Sequence, residues 1–343
     1  MKEKLLFFSI KHPLLLILLM AISVKVLAAI FTFGWLAASD GYFNYYRIPA
    51  SWMASPWIVY ASRLLFGAFS LLIIMLGYRI TKIIADKTTS LEIAMFGALL
   101  WGVPYVTVHP FASVVALPFM LYGTLLIIKQ HNLLDHNDIE KFHRTSFIIS
   151  GFFMGLGFAV YYESFIYYIG ILAALFILRN WKGALMTLIG YIAAVLITQT
   201  VVDLVIYHRP FVAMTHFIQD NGAFSFSAFY LLKNIKYALV FLLVAFVPPM
   251  SVMMFFGVFR VFRKYILLIL PTITTLLYAI FCYKDFDFYL LMMPTFIIAG
   301  YVGWKEFHKT SAFWTKNKWL LLTCYILFAL LNVALMVLTF SYL

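Results

Sequence analysis

A few ionisable side chains stand out in a chain with very little charge: Asp40, Glu163, Asp203, Asp220, Asp285 and Asp287 among the acids, and Lys25, Arg47, Arg209 and Lys284 among the bases. Asp40 follows Trp35 and precedes Tyr42, Tyr45, Tyr46 and Arg47. A partly desolvated carboxylate there has the chemistry of a general base, because burial raises its basicity toward the working pH and lets it take a proton from an attacking hydroxyl. The same residue is equally suited to cap a short helix beginning at Gly41. In CYKDFDFYLLMMP, Asp285 and Asp287 alternate with Phe, and Lys284 beside them either holds a phosphate as a point charge or neutralises those acids. Arg209, in YHRPF, has the same two readings, with a guanidinium better shaped for bidentate phosphate binding. Glu163, in VYYESF, is either a hydrated tip or part of a polar site. Lys25 lies near the middle of an apolar run and requires a partner there. Cys282 and Cys324 read as packed thiols, and no Cys/His cluster has zinc spacing.

The elements that must position these groups are membrane helices. Of 343 residues, 65% are hydrophobic and 11% charged, and the mean hydropathy is +0.98, a balance outside the range of soluble domains. Runs such as LLLILLM are apolar at every position, which excludes the period-two pattern of a membrane β-barrel. The expected fold is therefore an all-α polytopic membrane protein of about 11 spans. They fall near 12–35, 58–79, 91–108, 112–130, 146–161, 163–179, 183–203, 237–259, 264–282, 289–304 and 319–341.

Net charge is +12, from 25 Lys+Arg against 13 Asp+Glu. With these spans, 18 of the 25 basic residues fall on one side and six on the other, so the positive-inside rule places the N-terminus in the cytoplasm and the C-terminus outside. The basic excess is thus a topology signal, and nucleic acid is not an expected partner. The six acids named above all fall on the outer side. Acids near membrane depth are costly unless they face a cavity, so a shared outer polar chamber is expected, with hydrated loop residues as the plainer alternative. The chain reads as one integral domain, 1–343, with two amphipathic outer loops at about 36–58 and 204–236. The cytoplasmic connections are short and basic, which leaves little surface there for a nucleotide site, and they carry no GxxxxGK[ST] run.

In order along the chain, four segments resemble the membrane glycosyltransferases of the GT-C superfamily, most closely the glycosyltransferase family 22 mannosyltransferases that build lipid-linked oligosaccharides and GPI anchors. ASDGYFNYY is similar to the family's acidic run after the first span, with Asp40 at its acid and Gly41 where a second acid would stand. VHPFASVVALP resembles the segment opening the family's fourth span, with His109 in place of Arg and Ser113 kept. Asp203, Tyr207 and Asn221 match the family's Asp, Tyr and closing Asn, and Lys284, Asp285, Phe288 and Pro294 match a Lys-acid-x-x-Phe…Pro run. Tyr283 stands at the family's His and Asp287 at its Arg.

The resemblance implies a sugar donor on a polyprenyl phosphate, a glycan or glycolipid acceptor, and inverting transfer on the extracytoplasmic side with Asp40 as base. Lys284, Arg209 and His208 are the implied phosphate-binding groups. Tyr42, Arg47, His109, Glu163, Asp203, Asp285 and Asp287 are the implied substrate contacts. The resemblance implies no nucleotide sugar, and two acids with a phosphate could hold a divalent ion. The rival readings are a transporter or lipid flippase with an acidic outer site, and a non-catalytic scaffold. Matched helix breaks would mark a transporter, and Pro248–Pro249 and the glycines Gly151, Gly155 and Gly157 are not symmetric.

Overall fold

The computed structural model describes residues 12–31, 56–109, 111–135, 144–221, 234–236, 238, 246–281 and 286–342. Every regular element among these is helical. In chain order they are α1 (Pro13–Phe31), α2 (Pro56–Ile84), α3 (Lys87–Leu99), α4 (Gly102–Val108), α5 (Ala112–Asp135), α6 (Arg144–Val160), a 3-10 turn (Tyr162–Ser164), α7 (Phe165–Ile177) and α8 (Trp181–Tyr207). There follow α9 (Val212–Asn221), α10 (Met250–Arg260), α11 (Ile266–Phe281), α12 (Phe286–Tyr289), α13 (Met293–Thr310), α14 (Ala312–Lys316) and α15 (Lys318–Tyr342).

Among the described residues, five helices are long and apolar enough to cross a bilayer, at Pro13–Ile30, Tyr60–Ile84, Ala112–His131, Trp181–Tyr207 and Lys318–Thr339. The pair α3 and α4, bent by 61°, makes a sixth if it is one span, and four shorter apolar helices accompany them. On α8 and α15 most of the apolar surface stays uncovered by protein, with Val205, Leu330 and Val337 exposed. Long helices of this kind, with their backbone groups bonded internally and their apolar side chains turned outward, make a multi-pass membrane protein.

The expected straight span at 91–108 is broken. Leu100 is extended (ψ 123°), and the helix restarts at Gly102 with Pro104 in its first turn, the part of a helix where proline's missing N–H costs least. A break inside a membrane frees backbone donors and acceptors that water cannot satisfy. Asn332, on α15, supplies both needs. Its Nδ2 donates to the Leu99 carbonyl at 2.9 Å, and its Oδ1 accepts from the Trp101 N–H at 2.9 Å.

By its contacts the chain divides into two compact units: Met1–Val114 with Leu242–Arg260 and Gly300–Leu343, and Val115–Phe241 with Val261–Ala299. In the first, α1, α2, α3 and α4 pack together around Ile17, Ala21, Ile74, Tyr78, Ala94 and Ala98. In the second, α6 lies along α8 and α7 against α11. Glycine makes the first of these contacts close: a Cβ on Gly151 would stand 1.8 Å from the Thr187 carbonyl oxygen, and one on Gly190 would stand 1.9 Å from that of Ile148. Small residues at a membrane helix interface let the backbones themselves touch.

Candidate functional site

In the first unit, polar groups gather where α1 ends, α2 begins and α4 ends. The α1 residues Lys25 and Ala29 are one turn apart on one face. Lys25 is 4% exposed, and its ammonium donates to Thr107 Oγ1 on α4 at 2.5 Å. Thr107 passes its own proton to the Val103 carbonyl at 2.6 Å. Arg63, buried on α2, donates from Nη1 to the Ala29 carbonyl at 3.1 Å. That bond ties α2 to the backbone of α1.

On α2, Gly67 follows Arg63 by one turn, and a Cβ at Gly67 would stand 3.6 Å from Val108 Cγ1 and 4.0 Å from Lys25 Cβ. The three helices thus enclose the Lys25 stem on faces that run up to Arg63. Tyr60 and Tyr105 lie within electrostatic reach of Arg63. Tyr105 packs against His109, with ring centroids 4.6 Å apart, and its carbonyl accepts the His109 Nδ1 proton at 2.7 Å. Because a carbonyl only accepts, that contact assigns the proton to Nδ1. Arg63, Tyr105 and His109 are thus grouped in the first unit, Arg63 and His109 buried, with Lys25 bonded one turn earlier on α1 than Arg63's acceptor.

The second unit has its own polar corner, where α6 turns into α7 and α8 into α9. Tyr161 donates to Glu163 Oε2 at 2.8 Å, and Tyr162 donates to Gln199 Oε1 on α8 at 2.9 Å. The Tyr162 ring packs against Phe158 at 5.1 Å and Phe217 of α9 at 5.0 Å. Asp203 is buried, and its Oδ2 accepts the Ala213 N–H at 3.1 Å. Ala213 is in the first turn of α9, so the carboxylate caps that helix. His208 takes the left-handed conformation (φ 57°) that terminates α8, and it and Arg209 are exposed on the turn that follows.

Of the residues singled out from the sequence, Asp40, Tyr42, Arg47, Lys284 and Asp285 lie outside the described residues. Asp287 falls on α12 by its backbone. His109 belongs to the first unit, and Glu163, Asp203, His208 and Arg209 to the second. Arg63, Tyr105 and Thr107 were not singled out, and they carry no sequence signal beyond being polar groups inside apolar runs. Asp86, at the N-cap of α3, and Glu92, in its middle, have fixed partners. Glu92 pairs with Lys305 of α13 and accepts from Tyr301 at 3.1 Å. Asp86 accepts from Thr88 and Thr89, and the Thr89 hydroxyl, ahead of the Lys305 charge, holds its carboxyl below the usual range.

Among the described residues, no group of three or more His, Cys, Asp and Glu is placed to hold a metal ion. No protein-family model matches the chain, and no curated protein is detectably similar to it.

Proposed function

We propose that the protein is a membrane glycosyltransferase of the GT-C kind, which moves a hexose, such as mannose, from a polyprenyl-phosphate donor to a hydroxyl of a glycan or glycolipid acceptor on the extracytoplasmic side. One observation supports this reading above the others. Arg63, Tyr105 and His109 meet at the end of the first unit where α1 leads into the stretch 32–55, which carries Asp40, and where α2 leads out of it. In sequence, the stretch that carries Asp40 is joined at both ends to helices of that unit.

In the proposed step, Asp40 takes the acceptor hydroxyl proton as that oxygen bonds to the anomeric carbon. The bond from that carbon to the phosphate oxygen breaks, its electron pair leaves with the polyprenyl phosphate, and the configuration inverts. Cations fixed beside the departing oxygen stabilise charge that grows in the transition state. Arg63 joins Lys284, Arg209 and His208 as candidates for that work.

The broken α3–α4 pair favours a second reading, a carrier that moves an intact anionic lipid, since interrupted helices line the substrate sites of many transporters. Reconstitution separates the two. Purified protein in proteoliposomes containing a polyprenyl-phosphate hexose and a glycan acceptor should yield hexosylated acceptor and polyprenyl phosphate in equal amounts by mass spectrometry. Transbilayer movement of an unaltered donor, with no new glycosidic bond, would establish the carrier instead.

A further inference from the structure

The first unit holds a buried cation to which the reading above assigns nothing. Lys25 is 4% exposed and sits inside α1, a helix composed of apolar residues but for Ser23 and Lys25 itself. Among the described residues its ammonium has one hydrogen-bond acceptor, the neutral Thr107 hydroxyl. No described carboxylate stands within ion-pair distance of it. An ammonium carries three donors and a full charge, and a single hydroxyl answers one donor and none of the charge. Burial of a cation in a membrane helix without an anion is expensive, and such residues mark a ligand or ion path.

The surroundings identify an anion as the ligand. Arg63 is anchored one helical turn further along α1, through Ala29, a rise of about 6 Å. The two cations therefore bond at positions one turn apart along α1. Gly67 keeps α2 without a side chain beside the Lys25 stem. His109, on the same end, has its Nδ1 proton committed to the Tyr105 carbonyl. A buried lysine and a buried arginine bonded one helical turn apart along α1 match the charge of a phosphate.

We propose that Lys25 is the charge that binds the phosphate of a polyprenyl-phosphate ligand within the first unit, with Thr107 holding the ammonium in place when the phosphate is absent. This rests on the transferase reading for the identity of the lipid. The site itself requires only an anionic phosphate.

The test is a binding titration on purified full-length protein in detergent. The probes are a short-chain polyprenyl phosphate, the corresponding polyprenol and inorganic phosphate, for wild type, Lys25→Met, Lys25→Arg and Thr107→Val. Wild type should bind the lipid phosphate and not the polyprenol. Lys25→Met should weaken that binding about 30-fold or more, as loss of one partner of a buried charge pair does. Lys25→Arg should retain most of the affinity, and Thr107→Val should bind at least as tightly as wild type because the ammonium loses its resting partner. Competition by inorganic phosphate would place recognition in the headgroup alone, and its failure to compete would add the lipid chain.

Equal affinity of wild type and Lys25→Met for the lipid phosphate overturns the proposal, as does equal affinity of wild type for polyprenol and polyprenyl phosphate. If Lys25→Met does not fold, Lys25→Arg and Thr107→Val decide: a loss of binding in both is the contrary result. Lys25-dependent binding in a wild-type protein that transfers no sugar keeps this site and removes the transferase. Sugar transfer with Lys25-independent binding does the reverse.

Discussion

Lys25 donates to the Thr107 hydroxyl at 2.5 Å, joining α1 to α4 across 82 residues of sequence. The bond connects a charge to a neutral group in a dry interior, where an unpaired ion costs more than one hydrogen bond returns. Without phosphate lipid, Lys25→Met is therefore expected to be no less stable than wild type and up to about 4 kcal/mol more stable. Thermal unfolding of delipidated protein measures this. A midpoint well below that of wild type would make Lys25 a structural residue.

Asn332 serves the break between α3 and α4 through both atoms of its amide. Asn332→Leu keeps the volume and removes the two hydrogen bonds that this side chain makes to the Leu99 and Trp101 backbone. A loss of about 1–3 kcal/mol follows from the desolvation cost of such groups. Chemical denaturation of the variant in detergent would measure it. An unchanged midpoint would mean that the freed groups find other acceptors.

Gly190 lies where a Cβ would meet the Ile148 carbonyl oxygen at 1.9 Å, and Gly151 stands in the same relation to Thr187. Because the obstruction is backbone, α6 and α8 must separate to admit any larger side chain. Gly190→Val should cost about 1–3 kcal/mol or more by overpacking, seen as a lower yield of monodisperse protein and a lower unfolding midpoint. Gly102, with nothing within 4 Å of an added Cβ, is the control, and Gly102→Ala should be close to neutral.

Asp86 is held below the ordinary carboxylate range by Thr89 and then by Lys305. Its folded-state value is lower than its unfolded one, so its stabilisation is complete above the ordinary value near 3.8 and is lost as pH falls through the lowered value. The unfolding midpoint should decline between about pH 5 and pH 3 by more in wild type than in Asp86→Asn. Identical declines would show that other acids account for the pH dependence.

Much of the helical frame was legible from apolar runs alone. The ranges expected near 12–35, 183–203 and 319–341 correspond to α1, α8 and α15. The break at Leu100 was not legible, because LLWGVPYV is apolar throughout and the group that makes the break tolerable, Asn332, lies more than 200 residues further on. Lys25 was legible as a residue in need of a partner, but the partner's identity depends on how α4 folds back on α1. Asp203 shows the opposite failure. Its burial and acidity mark it for chemistry, yet its carboxylate binds the Ala213 N–H and shapes the α8–α9 corner. Residue type points to a polar requirement, whereas packing decides whether a backbone or a substrate meets it.

Asp40 is the centre of the functional account, and its removal is the most direct test. Purified, reconstituted wild type should transfer hexose from a polyprenyl-phosphate donor to a glycan hydroxyl with inversion of the anomeric centre. Asp40→Asn should abolish that transfer, losing at least about 100-fold in rate, as expected when a general base is removed, while expression and unfolding midpoint stay near those of wild type. Full transfer activity in Asp40→Asn would contradict the role of Asp40, and absence of transfer by wild type from every polyprenyl-phosphate hexose supplied would contradict the transferase itself.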